Sequence, residues 1–421
     1  MKTKAVRLYG KNDLRLEEFE LPEIKDDEIL AKVVSDSICM SSYKVAIQGA
    51  NHKRVPDDVN ENPTIIGHEF TGEILKVGKK WQDQFKPGDK YSLNPAINYP
   101  YGPIGLLSCI GYSYKYCGGD ATYVIFPHDV MDMGCLLKYE GEAYYPASLS
   151  EPLCCVISAL HASYHTKPNS FEHIMGIKEG GKMALLAGVG PMGLAMINYV
   201  LNREDRHPSL FVVTDINQQR LDRAASLYTK EFAAERGIDL RYVNTSEENS
   251  TDILKEFTGG TGYDDVVVMA PVPKVVEQAD ALLAYDGCLN FFSGPADSKF
   301  SAIFNFYNVH YSSTHVVGTT GGTPSDLKEA LYYLGKGLDP AGLVTHIGGL
   351  DAVAHTTNNL PQIPGGKKLI YTHINMPLTA IEDFRKKGTP LFTQLANICD
   401  KYQGLWNLEA ERYLLAHASE L

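Results

Sequence analysis

The stretch from 182 to 202 constrains this chain more than any other. Lys182-Met-Ala-Leu-Leu-Ala187 is a continuous apolar run, suited to a strand buried on both faces, and it leads straight into Gly188-Val-Gly190-Pro-Met-Gly193. A helix is predicted from Pro191 to Asn202, with proline at the first helical position, where its missing N–H costs nothing. In such a strand–turn–helix the three glycines serve a tight turn, close approach of a pyrophosphate to the backbone, and close helix–strand packing. The helix N-terminus attracts the phosphate charge. A glycine-rich turn alone proves little, but here Asp215 ends the next strand, 22 residues beyond Gly193. A carboxylate there hydrogen-bonds ribose hydroxyls and repels a 2′-phosphate. The pattern reads as a nicotinamide dinucleotide site made by Gly188, Gly190, Gly193 and Asp215, with NAD(H) preferred over NADP(H). The alternative role for Asp215 is a helix N-cap.

Strands and helices keep alternating around this motif. Strands are predicted at Leu210–Thr214, Asp265–Met269, Cys288–Phe292 and His315–Gly318, with a long amphipathic helix from Asn217 to about Arg236. That alternation implies a parallel sheet with right-handed crossovers. Before about residue 157 the rhythm is different: Lys4–Tyr9, Glu28–Val34, Gly72–Val77 and Ala121–Phe126 alternate with period two between turn signals, which suggests antiparallel strands closing into a barrel. Two stretches there, Gln48–Asn62 and Asn94–Gly119, read as long loops, which in a compact domain usually carry function. After the amphipathic helix Ser325–Lys336, strand and loop character returns at Lys367–Tyr371. The organisation expected is α/β: residues 1–157 and 320–421 form a catalytic β-barrel domain, interrupted by a doubly wound domain over 158–319. Residues 385–421 form a polar, helical tail.

Composition narrows the setting. With 421 residues the chain is long enough for two domains, and 39 basic against 51 acidic residues give −12, which argues against general affinity for nucleic acid or anionic membrane. No signal peptide or membrane span is read. Eight irregularly spaced cysteines fit reduced thiols in the cytoplasm; Cys135, Cys154, Cys155, Cys288 and Cys399 read as ordinary buried thiols.

Cys39, His68 and Glu69 lie in the barrel region, the last two within Gly67-His-Glu-Phe70. Thiolate, imidazole and carboxylate are ligand types that suit zinc. A second carboxylate, Glu151 in Ser150-Glu-Pro-Leu153, falls where the barrel gives way to the nucleotide domain. Taken together, Cys39-Met-Ser41, Gly67-His-Glu69, Lys86-Pro-Gly-Asp89, Glu151-Pro-Leu153 and Gly188–Gly193 resemble the zinc-dependent medium-chain alcohol and polyol dehydrogenases over about residues 4–380. The resemblance implies a GroES-like catalytic domain with a Rossmann domain inserted in it. It further implies that Cys39 and His68 are zinc ligands and Glu69 the third ligand or its close neighbour. Glu151 takes the fourth position, directly or through water, and Ser41 relays the proton. Many members carry a four-cysteine lobe for a structural zinc, but this chain offers only Cys109 and Cys117 there, so one catalytic and no structural zinc is expected. Five residues after the cysteine ligand, where the family often has histidine, stands Lys44. It could pass the proton, hold an anionic substrate, or be a solvated lysine.

Within the family, Asn51-His-Lys-Arg-Val-Pro56, Asn290–Pro295, Asn305–Tyr311 and Gly365-Gly-Lys-Lys-Leu369 are most similar to the ketose-phosphate reductase branch. The reaction implied is reduction of L-sorbose 1-phosphate to D-glucitol 6-phosphate with NAD(P)H. Lys53 and Arg54 are then the phosphate ligands, since arginine offers a bidentate grip on phosphate; Lys367 and Lys368 are rival candidates. The implied mechanism is Lewis-acid activation of the ketone by zinc, hydride delivery from the nicotinamide and a proton from Ser41. The alternatives are a polyol or alcohol dehydrogenase acting on an unphosphorylated substrate, and a dinucleotide-binding protein without catalysis. The resemblance also implies a homodimer or homotetramer.

Overall fold

The computed structural model describes residues 1–247 and 249–421. The chain divides into two compact units, one of Met1–Pro152 with Thr323–Leu421, the other of Leu153–Gly322. Among the described residues no helix is long and apolar enough to cross a membrane.

The first unit is built on the strand Ile29–Ile38, which sends Ile29, Ala31 and Val33 into one core. Thr71–Val77 pairs with it on one side. On the other, Tyr123–Phe126 pairs with its first half and Lys367–Tyr371 with its second. The chain therefore returns from the second unit to complete the sheet beside its own N-terminal strands. Lys2–Gly10 heads a separate three-stranded sheet with Asp13–Glu20 and Thr64–Ile65. Of the two stretches read as loops, 48–62 contains a short 3-10 turn, Gly49–Asn51, and buries Val55 and Val59; it is more anchored than its polarity suggests.

The tail is not a polar appendage. Its helices, Pro390–Lys401 and Leu408–His417, bury Leu395, Ile398 and Leu414, with Trp406 between them, against the first unit's core. A polar network locks them there: Trp406 Nε1 donates to the Tyr371 hydroxyl (2.8 Å), which donates to Glu411 (2.7 Å). The Tyr144 and Tyr145 N–H groups also donate to that carboxylate (2.6 and 2.9 Å). The apolar residues sit at helical spacing among lysines, glutamates and glutamines, so average composition hid the buried stripe.

The second unit is a six-stranded parallel sheet in the order 239–244, 210–215, 182–186, 263–268, 283–291, 315–317, the doubly wound Rossmann arrangement. The strand order reverses at Lys182–Leu186, so the turn at Gly188 opens at the topological switch point, where such sheets bind ligands. The helix expected from 217 to 236 is two helices, Gln218–Leu227 and Lys230–Ala234. The break falls at Tyr228, and the Thr229 side chain caps the second helix by accepting from Phe232 N–H (3.2 Å), a start signal inside an otherwise helical pattern.

A buried histidine stitches this unit together. His165 Nε2 lies 3.2 Å from both oxygens of Asp265, and its Nδ1 is 3.1 Å from the Asp286 carbonyl. Burial pulls the imidazole pKa down, but the Asp265 carboxylate and then Asp286 outweigh it, so the net shift is upward. The protonated ring therefore stabilises the fold fully below its unfolded pKa of about 6.5, and that contribution is lost as pH rises through the higher folded value. Urea midpoints across neutral to alkaline pH should fall more steeply for the native chain than for His165→Gln. Parallel curves would remove His165 from the account.

Candidate zinc and substrate site

Sequence brings the three candidate ligands to one place through two local devices. Cys39 follows the strand Ile29–Ile38 and is the N-cap residue of the helix Met40–Gln48. His68 and Glu69 follow Gly67, whose backbone has φ +89° and whose Cβ, if present, would stand 2.2 Å from Asp36 Oδ2; only glycine fits there. Ligand atoms of Cys39, His68 and Glu69 all lie within 4.8 Å of one another. His68 is 5% exposed and Glu69 1%, and His68 Nδ1 is buried with no hydrogen-bond partner. A thiol, an imidazole and a carboxylate clustered in this way are a donor set that suits a zinc ion. The packed surroundings of its sulfur, then Glu69, push the Cys39 thiol up, and Lys367 pulls it partly back; a coordinated cation is what turns such a thiol into thiolate.

Glu151 stands outside that trio but close to it. Burial pushes its carboxyl up to about 7, His68 pulls it down, and Glu69 and Cys39 push it up again. Ser41 Oγ lies 3.4 Å from Cys39 Sγ, beside the trio.

Behind the ligands are groups that no local pattern announced. Asp36 Oδ1 accepts from the N–H of Ser37 (2.8 Å) and of Glu69 (3.1 Å), pinning the ligand loop. Asp36 and Asp120 are both buried, and burial raises both carboxyls. Asp36 Oδ2 and Asp120 Oδ1 find no donor among the described residues. Lys367 Nζ donates to both Glu69 oxygens, with Oε2 at 2.6 Å. Lys367 and Lys368 are each 4% exposed, and Lys368 Nζ donates to the Pro364 and Gly366 carbonyls. Both rivals for the phosphate are thus buried and engaged, which corrects that reading. Tyr112 was also missed: its hydroxyl lies 3.4 Å from His68 Nε2, and its ring stacks on His52, centroids 5.7 Å apart at 19°. The only sequence hint was the length of the 94–119 loop.

The basic segment gathers beside that ring. Lys53 is exposed and Arg54 half-buried; the Arg54 guanidinium donates to the Leu107 carbonyl (3.1 Å) and has further N–H groups to offer. Burial holds His52 down to about 4, helped by the charges of Arg54, Lys53 and Lys44. Lys44 is half-buried on the helix Met40–Gln48. Among the other cysteines, Cys155 is half-exposed and not the buried thiol expected, while Cys109 and Cys117 are buried, free thiols.

In the second unit a Cβ on Gly193 would stand 2.0 Å from the Gly188 carbonyl oxygen, whereas one on Gly190 meets nothing within 4 Å. The first packs the helix Pro191–Asn202 on its strand, and the second leaves open backbone at the helix N-terminus. Asp215 ends its strand and accepts from Asn217 N–H (3.0 Å). The N-cap of the next helix is Asn217 itself, accepting from Arg220 N–H, so the capping role considered for Asp215 belongs to its neighbour.

Residues 25–133 match the family model of the alcohol dehydrogenase GroES-like domain, and residues 211–335 that of the zinc-binding dehydrogenases. The chain is 50% identical over 417 residues to the mannitol-1-phosphate 5-dehydrogenase of Aliivibrio fischeri, covering 98% of this chain and 97% of that protein. It belongs to the zinc-binding medium-chain dehydrogenases. A second member of this dehydrogenase family, the L-sorbose 1-phosphate reductase of Klebsiella pneumoniae, is 48% identical over 420 residues, covering 100% of this chain and 98% of that one. The uncharacterized protein YggP of Escherichia coli is 52% identical over 420 residues, 99% and 97% of the two chains. The solved structure of 2R,3R-butanediol dehydrogenase from Bacillus subtilis, 23% identical, has a TM-score of 0.70 and covers 88% of this chain and 99% of its own; it shares the fold. The chain is thus a zinc-dependent dehydrogenase acting on CH–OH groups, close to sugar-phosphate dehydrogenases.

Proposed function

We propose that this dehydrogenase reduces L-sorbose 1-phosphate to D-glucitol 6-phosphate, with NAD(H) as preferred donor. The observation that carries the reading is the basic segment His52-Lys53-Arg54, whose His52 ring stacks on Tyr112, which in turn lies against His68. In a chain of net charge −12 such a local reversal of sign suits a phosphate dianion. Two sugar-phosphate enzymes among the relatives support it. The A. fischeri relative favours a second reading, in which the substrate pair is mannitol 1-phosphate and its ketose phosphate.

Zinc held by Cys39 and His68, with Glu69 or Glu151 completing the set, supplies Lewis-acid polarisation of the carbonyl oxygen, and the dinucleotide supplies the hydride. The remaining work falls to the chain's own residues. Ser41 donates the proton to the substrate oxygen from beside Cys39. Lys53 and Arg54 hold the phosphate, and Lys44 adds its charge from the neighbouring helix. Gly190 lets the pyrophosphate approach the backbone, Gly193 seats the helix, and Asp215 binds the ribose hydroxyls.

The test is NADH oxidation with L-sorbose 1-phosphate and with L-sorbose, and NAD reduction with mannitol 1-phosphate. The 1-phosphate should exceed L-sorbose roughly 100-fold in kcat/KM, the worth of a charge-assisted grip of about 3 kcal/mol. Arg54→Ala should remove most of that advantage for the ester and leave kcat/KM on L-sorbose unchanged. Equal rates on L-sorbose and its ester would instead leave a dehydrogenase for unphosphorylated polyols. Asp215→Ser should narrow the preference for NADH over NADPH; an unchanged ratio would take the ribose role from Asp215.

The same reading includes a homodimer. The strand His315–Val317 is the outer edge of the parallel sheet, and beside it in sequence Phe306, Tyr307 and Tyr311 are 76%, 67% and 63% exposed on a helix with no buried residue. Such aromatic exposure marks an interaction surface, and sedimentation of Phe306→Asp against the native chain tests it. All eight cysteines are free, in keeping with the cytoplasmic setting expected.

A further inference from the structure

The basic cluster and the metal ligands share one aromatic ring. Tyr112 sits in a turn closed by its own N–H and that of Ser113 donating to the Cys109 carbonyl (3.2 and 3.0 Å). The Ser113 hydroxyl donates to the Arg54 carbonyl (2.7 Å), which ties this turn to the basic segment. The Tyr112 ring lies flat against His52 on one side and tilted against His68 on the other, at 5.7 and 5.0 Å between centroids. Its hydroxyl is within 3.4 Å of His68 Nε2. His52 accepts Arg54 N–H on Nδ1 (3.2 Å), so the neutral ring carries its proton on Nε2, a donor the loop itself does not use. Tyr112 is 6% exposed.

Resting on the phosphate reading above, we propose that Tyr112 is a positioning residue that carries phosphate occupancy to the reacting centre. A dianion held by His52 Nε2–H, Lys53 and Arg54 fixes the His52 ring. The stacked Tyr112 ring is fixed with it, and the Tyr112 hydroxyl then holds the His68 imidazole in the orientation the reacting centre needs. Binding energy gathered at a non-reacting group is spent on orientation at the reacting one. The phosphate should therefore raise kcat as well as lower KM, and a detached dianion should do part of the same work.

The experiment is turnover of L-sorbose by the zinc-loaded enzyme with and without phosphite dianion, beside calorimetric titration of phosphite and a zinc determination. For the native enzyme, saturating phosphite is expected to raise kcat/KM on L-sorbose roughly tenfold or more. Tyr112→Phe should bind phosphite with an unchanged dissociation constant and keep its zinc, yet show no activation. His52→Ala, which removes the ring on which Tyr112 rests and touches no metal ligand, should also lack activation at saturating phosphite. Activation of either variant to the native extent would overturn the proposal, as would phosphite that binds the native enzyme without activating it; both results leave the phosphate site standing. Phosphite that does not bind at all would overturn the phosphate reading and this proposal together.

Discussion

Cys39→Ala and His68→Ala are each expected to lose zinc and turnover together, with kcat falling roughly 1,000-fold or more, since Lewis-acid polarisation of a carbonyl is worth several kcal/mol. The donor set explains why neither loss is absorbed. The trio within 4.8 Å comprises Cys39, His68 and Glu69, and Glu69 is already shared with Lys367. Removing the thiol leaves one imidazole with Glu151 and a carboxylate held by an ammonium, a weaker donor set than a catalytic zinc needs. Removing His68 takes away the buried nitrogen that has no other partner. Zinc content per chain and steady-state turnover, measured on the same samples, check the result. A variant free of metal that still turns over near the native rate would sink the zinc mechanism, and a chelated native enzyme should regain activity on adding zinc.

Lys367→Met should cost about 3–5 kcal/mol of stability, the usual penalty for leaving one partner of a buried ion pair without the other. Glu69 is 1% exposed and Lys367 4%, so water cannot replace the missing ammonium. Burial alone would lower the Lys367 pKa, but Glu69, then Cys39, outweigh it and the net shift is upward. Denaturant midpoints taken with chelator present keep a metal cation from substituting for the lost charge. The double variant Lys367→Met with Glu69→Gln should recover much of the loss, because the uncompensated charge is gone. A single variant within about 1 kcal/mol of native would show that Glu69 is neutral or solvated in the fold.

Both predictions concern the same small volume of the first unit, yet their residues differed in how plainly the sequence showed them. Cys39, His68 and Glu69 stand in short strings whose chemistry is local: a thiol before a helix, and an imidazole and carboxylate after a glycine that the turn requires. The nucleotide motif is local too, since strand, turn and helix are consecutive and their periodicity survives any packing. Asp215 was legible because a strand ends there, and the structure adds that Asn217 takes the cap. Tail helices were harder to read, because a stripe of Leu395, Ile398 and Trp406 among polar residues becomes a core only once the Tyr371 strand is beside it.

By itself, then, the sequence determined the α/β plan and the strand–glycine turn–helix, and it named Cys39, His68 and Glu69 as candidate zinc donors, all of them patterns that are local along the chain. Tertiary structure alone decided that Lys367, 298 residues from Glu69, is that ligand's counter-ion and no phosphate ligand. It also decided that Asp36 meets Asp120 behind the ligand loop, and that Tyr112 joins the basic segment to His68. Long-range sheet pairing brings Lys367 to the ligand loop, through Lys367–Tyr371 returning to Ile29–Ile38. A buried charge must find its partner wherever the fold places one, and no periodicity along the chain records which partner that is.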